Sequence, residues 1–293
     1  MAQKSIYRTV QGEAEVHALY DRQLAQLGVA VESRSVPTRF GLTHVLVAGP
    51  QEGMPLVMLH GGNTTNPATL GWILPLLEKY RLYAPDTIGH PGKSDPVRLS
   101  PRDSSYGQWL VDVLDGFGLA QPAVMGGSYG AGILLNMASY APQRIARAVL
   151  LVPSGIVSIP LRTMLLELLV PLMFYNLAPS RKRLAQVMRP MFVGDPIPAD
   201  VLETTELVFR HVKIEPEMPR NVTKEELAAF EAPVLVLAAE KDRLFPARLV
   251  VPRARQIFTN LTAAEVIPGS PHFISPSYLP TLNQRVDRFL QNA

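Results

Sequence analysis

The chain has 293 residues, 47% of them apolar and 18% charged, with a formal net charge of +3 at pH 7. This excludes a disordered chain, which needs low hydrophobicity and high net charge, and it supplies the packed core of a large domain. No basic run exceeds Arg181-Lys182-Arg183, so the overall charge argues against nucleic acid and anionic membrane as partners. The absence of cysteine removes disulfides, thiolate metal sites and a thiol nucleophile.

The N-terminal stretch has no apolar run of signal-peptide length, so cytoplasmic residence is the expectation. Residues 8–27 carry an amphipathic helical pattern that stops at Gly28. Two strands, 29–36 and 42–48, follow around a turn at 37–41 and read as an antiparallel hairpin. The pattern then changes. Short apolar runs at 56–59, 82–84, 123–125, 148–152 and 234–239 read as strands buried on both faces. Helical segments at 67–80, 106–117, 129–141 and 247–258 alternate with them. Such alternation predicts an α/β fold with a mostly parallel, doubly wound sheet. The 27 prolines, about twice the usual share of ~5%, predict short and well-punctuated elements.

Residues 156–231 break the alternation, with helical patterns and no strand. Their first part, 159–177, is dense in Leu, Met and Phe. Arg162, Glu167, Pro160 and Pro171 interrupt it, so a membrane span is not the expected reading. A helical insertion over the sheet is expected, dividing the chain into a core of 1–155 plus 232–293 and an insertion of 156–231.

Gly126-Gly127-Ser128-Tyr129-Gly130 fits G-x-S-x-G between an apolar strand and a helix. In that setting the motif makes a sharp turn that leaves the serine hydroxyl free at the sheet's edge, with a helix N-terminus behind it. Such a hydroxyl needs a base. Among the six histidines, His17 lies in the first helix, His44 in a strand, His211 in the insertion and His90 in a loop. His272 follows a strand-like run at 264–267 and precedes the last helix. It therefore opens onto the strands' carboxyl ends, where such sheets place their sites. The carboxylate that orients it is sought in Ala239-Glu240-Lys241-Asp242. Asp242 is the first choice, with Glu240 as the alternative. His60-Gly61-Gly62-Asn63 directly follows the first parallel strand. There the Gly62 amide, with that of Tyr129, can receive a developing oxyanion.

With Ser128, Asp242 and His272 in that chain order, the sequence resembles the α/β-hydrolase family and is similar to bacterial carboxylesterase-like members with a helical cap. His60-Gly61-Gly62 resembles the family's oxyanion motif. The stretch from Asp86 to Ser94 resembles its D-x-x-G-x-G-x-S loop with one residue added, which moves His90 to a structural role. Pro271 stands where a glycine is common. Serine at the elbow argues against the haloalkane dehalogenases and epoxide hydrolases, which place Asp there. The resemblance implies a serine esterase acting on a small-molecule ester; with no G-x-x-x-x-G-K-S/T loop and no pattern of metal ligands in the sequence, no cofactor or metal is expected. Leu, Met and Phe of the cap, with Trp72 and Phe273, suggest an apolar acyl or alcohol group. Lactone opening, C–C bond hydrolysis, acyl transfer or ligand binding without chemistry remain alternatives, Arg162 or Arg210 serving an acidic substrate. Monomer and homodimer are both open.

Overall fold

The computed structural model describes residues 5–292. Helix α1 (Val10–Gln26) begins where the Thr9 side chain accepts from the Gly12 amide, satisfying one of the helix's free donors. Strands β1 (Val31–Thr38) and β2 (Gly41–Ala48) form the expected hairpin. Its turn is shorter than the 37–41 expected, because Thr38 already pairs with Gly41 and only Arg39 and Phe40 lie between them. Pro37 sits inside β1 without harm because β1 is the sheet's edge, where an N–H is not needed on the open side.

Six more strands follow: β3 (Met54–Leu59), β4 (Tyr80–Pro85), β5 (Ala123–Gly127), β6 (Arg147–Leu151), β7 (Val234–Ala239) and β8 (Leu261–Ile267). The spatial order is β1-β2-β4-β3-β5-β6-β7-β8. Strand β2 is antiparallel to both neighbours, and every pair from β4 to β8 is parallel. The helices are α2 (Asn66–Leu70), α3 (Ser105–Gly116), α4 (Tyr129–Tyr140), α5 (Val170–Leu177), α6 (Arg181–Met188), α7 (Ala199–His211), α8 (Ala247–Ile257) and α9 (Leu279–Gln291).

One expected helix is corrected. Residues 67–80 form α2 and then a separate 3₁₀ turn, Leu74–Glu78, while Tyr80 already belongs to β4. Pro75 has no N–H to donate and its ring opposes the carbonyl four residues back, so a continuous helix cannot pass it.

The continuous apolar strands feed two cores at once, because successive side chains point to opposite faces. Val57, Leu59, Val124, Leu150 and Val236 join Trp109 of α3, Leu134 of α4 and Val250 of α8. Leu56, Met58, Met125, Leu151 and Leu237 join Tyr20 of α1, with Leu282 and Phe289 of α9. Burying a Leu or Val in this way contributes about 1.5–3 kcal/mol.

Between β6 and β7 the named elements are helical, α5, α6 and α7 among them. A π-helical stretch, Thr163–Leu169, runs straight into α5, with the Val170 amide donating to the Leu165 carbonyl five residues back. Pro171, unable to donate, accounts for the wider winding. Among the described residues no helix is long and apolar enough to cross a membrane. Tyr175, Leu184, Val187, Met188 and Phe192 form a small core of their own, against which Leu172 and Phe273 pack.

Two buried histidines stitch the loops after β3 and β4. His60 Nε2 accepts from the Thr87 amide at 2.9 Å, so its Nδ1 carries the proton donated to the Gly61 carbonyl at 2.7 Å. His90 Nδ1 accepts from the Asn63 amide at 3.2 Å. Both rings are therefore neutral. Burial pushes His60 below the ordinary imidazole value of 6.5, and burial with the neighbouring His60 and Arg98 pushes His90 well below it.

The unfolded chain takes up these protons near pH 6.5 and the folded chain resists them. Stability is therefore fully present above that pH and falls below it, by up to ~1.4 kcal/mol per pH unit for each histidine. Urea unfolding at pH 7.5, 6.0 and 5.0 tests this. His90→Gln flattens the decline, and an equal decline in native protein and variant removes His90 from the account.

Candidate active site

Ser128 occupies the turn between β5 and α4 at φ 50°, ψ −113°, a backbone region that residues with a Cβ rarely enter. The surrounding structure holds it there. Its amide donates to the Leu151 carbonyl at 2.9 Å, and its carbonyl accepts from the Ser154 hydroxyl at 2.9 Å and the Ser154 amide at 3.2 Å. The flanking glycines are required by contact. A Cβ on Gly126 would stand 2.5 Å from the Gly130 carbonyl, and one on Gly130 would stand 2.3 Å from the Leu59 carbonyl. Gly127, by contrast, has open space beside it.

The loops after β7 and β8 bring the next two groups. His272 Nε2 lies 3.0 Å from Ser128 Oγ, and His272 Nδ1 lies 2.7 Å from Asp242 Oδ2. The other Asp242 oxygen accepts from the amides of Leu244 at 2.8 Å and Phe245 at 3.0 Å. With the Asp242 side chain fully buried and its carboxylate held by backbone donors, the imidazole has one orientation open to it. This tautomer puts the proton on Nδ1 and leaves Nε2 as the acceptor for the serine hydroxyl. Glu240, the alternative carboxylate, turns away and accepts from the Gly269 amide at 2.6 Å. The ordering is geometric: the chain turns at Ala239, whose carbonyl accepts from the Asp242 amide, and residues 240 and 242 meet the loop after β8 at different points, Glu240 at Gly269 and Asp242 at His272.

Gly62 lies against the residue after the serine, since a Cβ placed on it would come within 3.1 Å of the Tyr129 side chain. Among the described residues neither the Gly62 nor the Tyr129 amide has a protein acceptor in the loop and cap hydrogen bonds. The Tyr129 amide lies next to Ser128 at the N-terminus of α4, where the helix's partial positive charge favours an anion.

Sequence reasoning noted Asn63 only as the end of the glycine loop. In the structure it is the hub of that loop. At φ 52° its amide reaches His90, while its side chain makes a reciprocal pair with the backbone of Glu215, Nδ2 to the carbonyl at 3.0 Å and Oδ1 from the amide at 2.8 Å. Glu215 follows α7, and its own carboxylate lies 3.1 Å from Arg98 Nε. Ser154, which clamps the serine carbonyl, also went unnoticed, because nothing local distinguishes it from any turn serine. Trp72 and Phe273 do meet, edge to face at 4.8 Å, and Phe192 stacks on Phe273 at 4.7 Å. Arg210 is exposed and paired with Glu206, and Arg162 is exposed at the start of the insertion's first helix. No group of His, Asp and Glu that could hold a metal occurs among the described residues.

Comparison with known proteins agrees with this architecture. Residues 56–287 match the alpha/beta hydrolase family. The Bacillus subtilis (strain 168) protein named carboxylesterase YbfK is 26% identical, over 97% of this chain and 96% of its own. A second protein of that organism, uncharacterized carboxylesterase nap, is 29% identical over 92% of this chain and 90% of its own. The crystal structure of naproxen esterase (carboxylesterase NP) from Bacillus subtilis superposes with a TM-score of 0.82 at 26% identity, covering 97% of this chain and 100% of that one. With most of its length matched by the family and by these relatives, the chain belongs to the alpha/beta hydrolase family.

Proposed function

We propose that the protein is a serine hydrolase of carboxylic esters. The observation that carries the reading is the continuous relay from Ser128 Oγ through His272 to Asp242, at 3.0 and 2.7 Å, on a serine held in a strained turn. Ser128 Oγ attacks the acyl carbonyl while His272 Nε2 takes its proton. Asp242 keeps His272 in its productive tautomer and stabilises the imidazolium. The Gly62 and Tyr129 amides receive the oxyanion of the tetrahedral intermediate. His272 then gives its proton to the departing alcohol, leaving an acyl-serine. A water deprotonated by the same Nε2 releases the acid and restores the serine.

Residues 156–231 act in this proposal as a helical cap over the site. The reading of an apolar acyl or alcohol group is supported by Trp72, Phe192 and Phe273, an aromatic cluster that begins one residue after the proposed base. Named carboxylesterases among full-length relatives support ester cleavage over the other reactions open to a triad.

Two measurements test the proposal. A fluorophosphonate probe labels the native chain, and labelling disappears in Ser128→Ala and His272→Ala. Hydrolysis of p-nitrophenyl esters falls about 10⁴-fold in kcat in both and in Asp242→Asn. A well-folded native chain that takes no label defeats the reading. Asn63→Ala frees the loop that carries Gly62, so kcat falls about tenfold while KM stays nearly constant. Asn63→Asp keeps the acceptor for the Glu215 amide and recovers part of the loss. A change in KM alone shows that Asn63 acts on substrate binding and not on the transition state.

A further inference from the structure

The first helical run of the insertion, 161–177, buries one face only. Thr163 and Tyr175 are buried and Leu172 packs on the small core. The opposite face puts Leu161, Leu165, Leu166, Leu169, Met173 and Leu177 into solvent, at 44–74% exposure. Single exposed leucines are ordinary, but here five of the six recur every fourth residue, as one row about 25 Å long.

Cations bracket the row. Arg162 is exposed at its start and Lys182 just past its end, and neither has an ion-pair partner among the described residues. The Arg183 side chain donates to the Ala178 carbonyl, and Arg181 pairs with Glu206. The single acid of the run, Glu167, pairs with Arg243. An apolar row with uncompensated positive charge at both ends matches a surface that is apolar beneath and anionic above.

We propose that this face docks on an anionic lipid surface. The helix lies in the plane of the interface, its leucines at the acyl boundary and Arg162, Lys182 and Arg183 among the phosphates. The overall charge of +3 does not draw the protein there; the local arrangement does. A second copy of the chain fits the face poorly. Antiparallel pairing sets Arg162 of one copy on the 181–183 cluster of the other, and parallel pairing sets each cluster on itself, so cations oppose cations either way. A stable dimer also buries roughly 800 Å² per partner, more than a single helical row offers. The proposal does not depend on the esterase reading, because it concerns adhesion and not chemistry.

Co-sedimentation of the full chain with vesicles tests it. The native chain sediments with vesicles of phosphatidylglycerol and phosphatidylcholine, and its affinity for phosphatidylcholine alone is about tenfold weaker. The double variant Leu165→Glu/Leu169→Glu loses tenfold or more on the mixed vesicles, on the order of magnitude set by two leucines withdrawn from the interface. Both positions are exposed, so an unchanged thermal midpoint shows that the fold is intact. Absence of native binding at millimolar lipid, or equal binding by the variant, overturns the proposal. So does a native dimer in sedimentation velocity that the variant abolishes, which would assign the face to a second copy.

Discussion

Everything in the site depends on the backbone of Ser128 being held at φ 50°, where a residue with a Cβ is strained. Strain of that kind costs about 1–3 kcal/mol and persists only where the surroundings over-determine it. Three hydrogen bonds to Ser128 from β6 and the loop beyond it do so, and two glycines permit the approach. With Gly126 and Gly130 both lacking side chains, α4 can close on β5 and β3 until the Cβ positions stand 2.5 and 2.3 Å from backbone atoms. That close approach sets the N-terminus of α4 behind the serine. One conformational constraint therefore exposes the hydroxyl, aims the helix dipole and leaves the Tyr129 amide free.

The sheet converts that local turn into a shared location. Strands β3, β5, β7 and β8 are parallel and lie close in the sheet, so the loops at their carboxyl ends open on one edge. Ser128, the Gly62 loop, Asp242 and His272 come from four such loops, separated in sequence by up to two hundred residues or so. Apolar strands buried on both faces keep the sheet rigid beneath them, and His60 and His90 lock adjacent loops by side chains that burial keeps neutral.

Much of this was readable from residue order because each group sits in a context with its own local signature. The G-x-S-x-G turn lies between an apolar strand and a helix; His272 and Asp242 each follow a strand. What escaped was carried by contacts with no local signature. Asp242 is favoured over Glu240 by its place further into the loop, but the bond from Glu240 to the Gly269 amide has no local signature. The reciprocal pairing of Asn63 with Glu215 joins positions 152 residues apart. The helix expected over 67–80 failed for the opposite reason: its apolar spacing was helical, but the missing N–H of Pro75 outweighed the pattern.

The Asn63–Glu215 pairing also constrains how the insertion can relate to the chemistry. Glu215 lies on the segment that returns from α7, and Asn63 follows the loop bearing Gly62. A rigid displacement of that returning segment must therefore either break two hydrogen bonds or pull the glycine loop with it. Net hydrogen bonds contribute only about 1 kcal/mol each when both partners regain water, but here the freed groups would remain partly buried and the cost rises. The outer face of the insertion lacks such ties among the described residues: its leucines are exposed and the Arg183 side chain bonds only within the insertion, to the Ala178 carbonyl. The insertion thus has a tethered side and an untethered side. The tethered side is tied to the glycine loop through Asn63, and the untethered side can meet a surface without disturbing that tie.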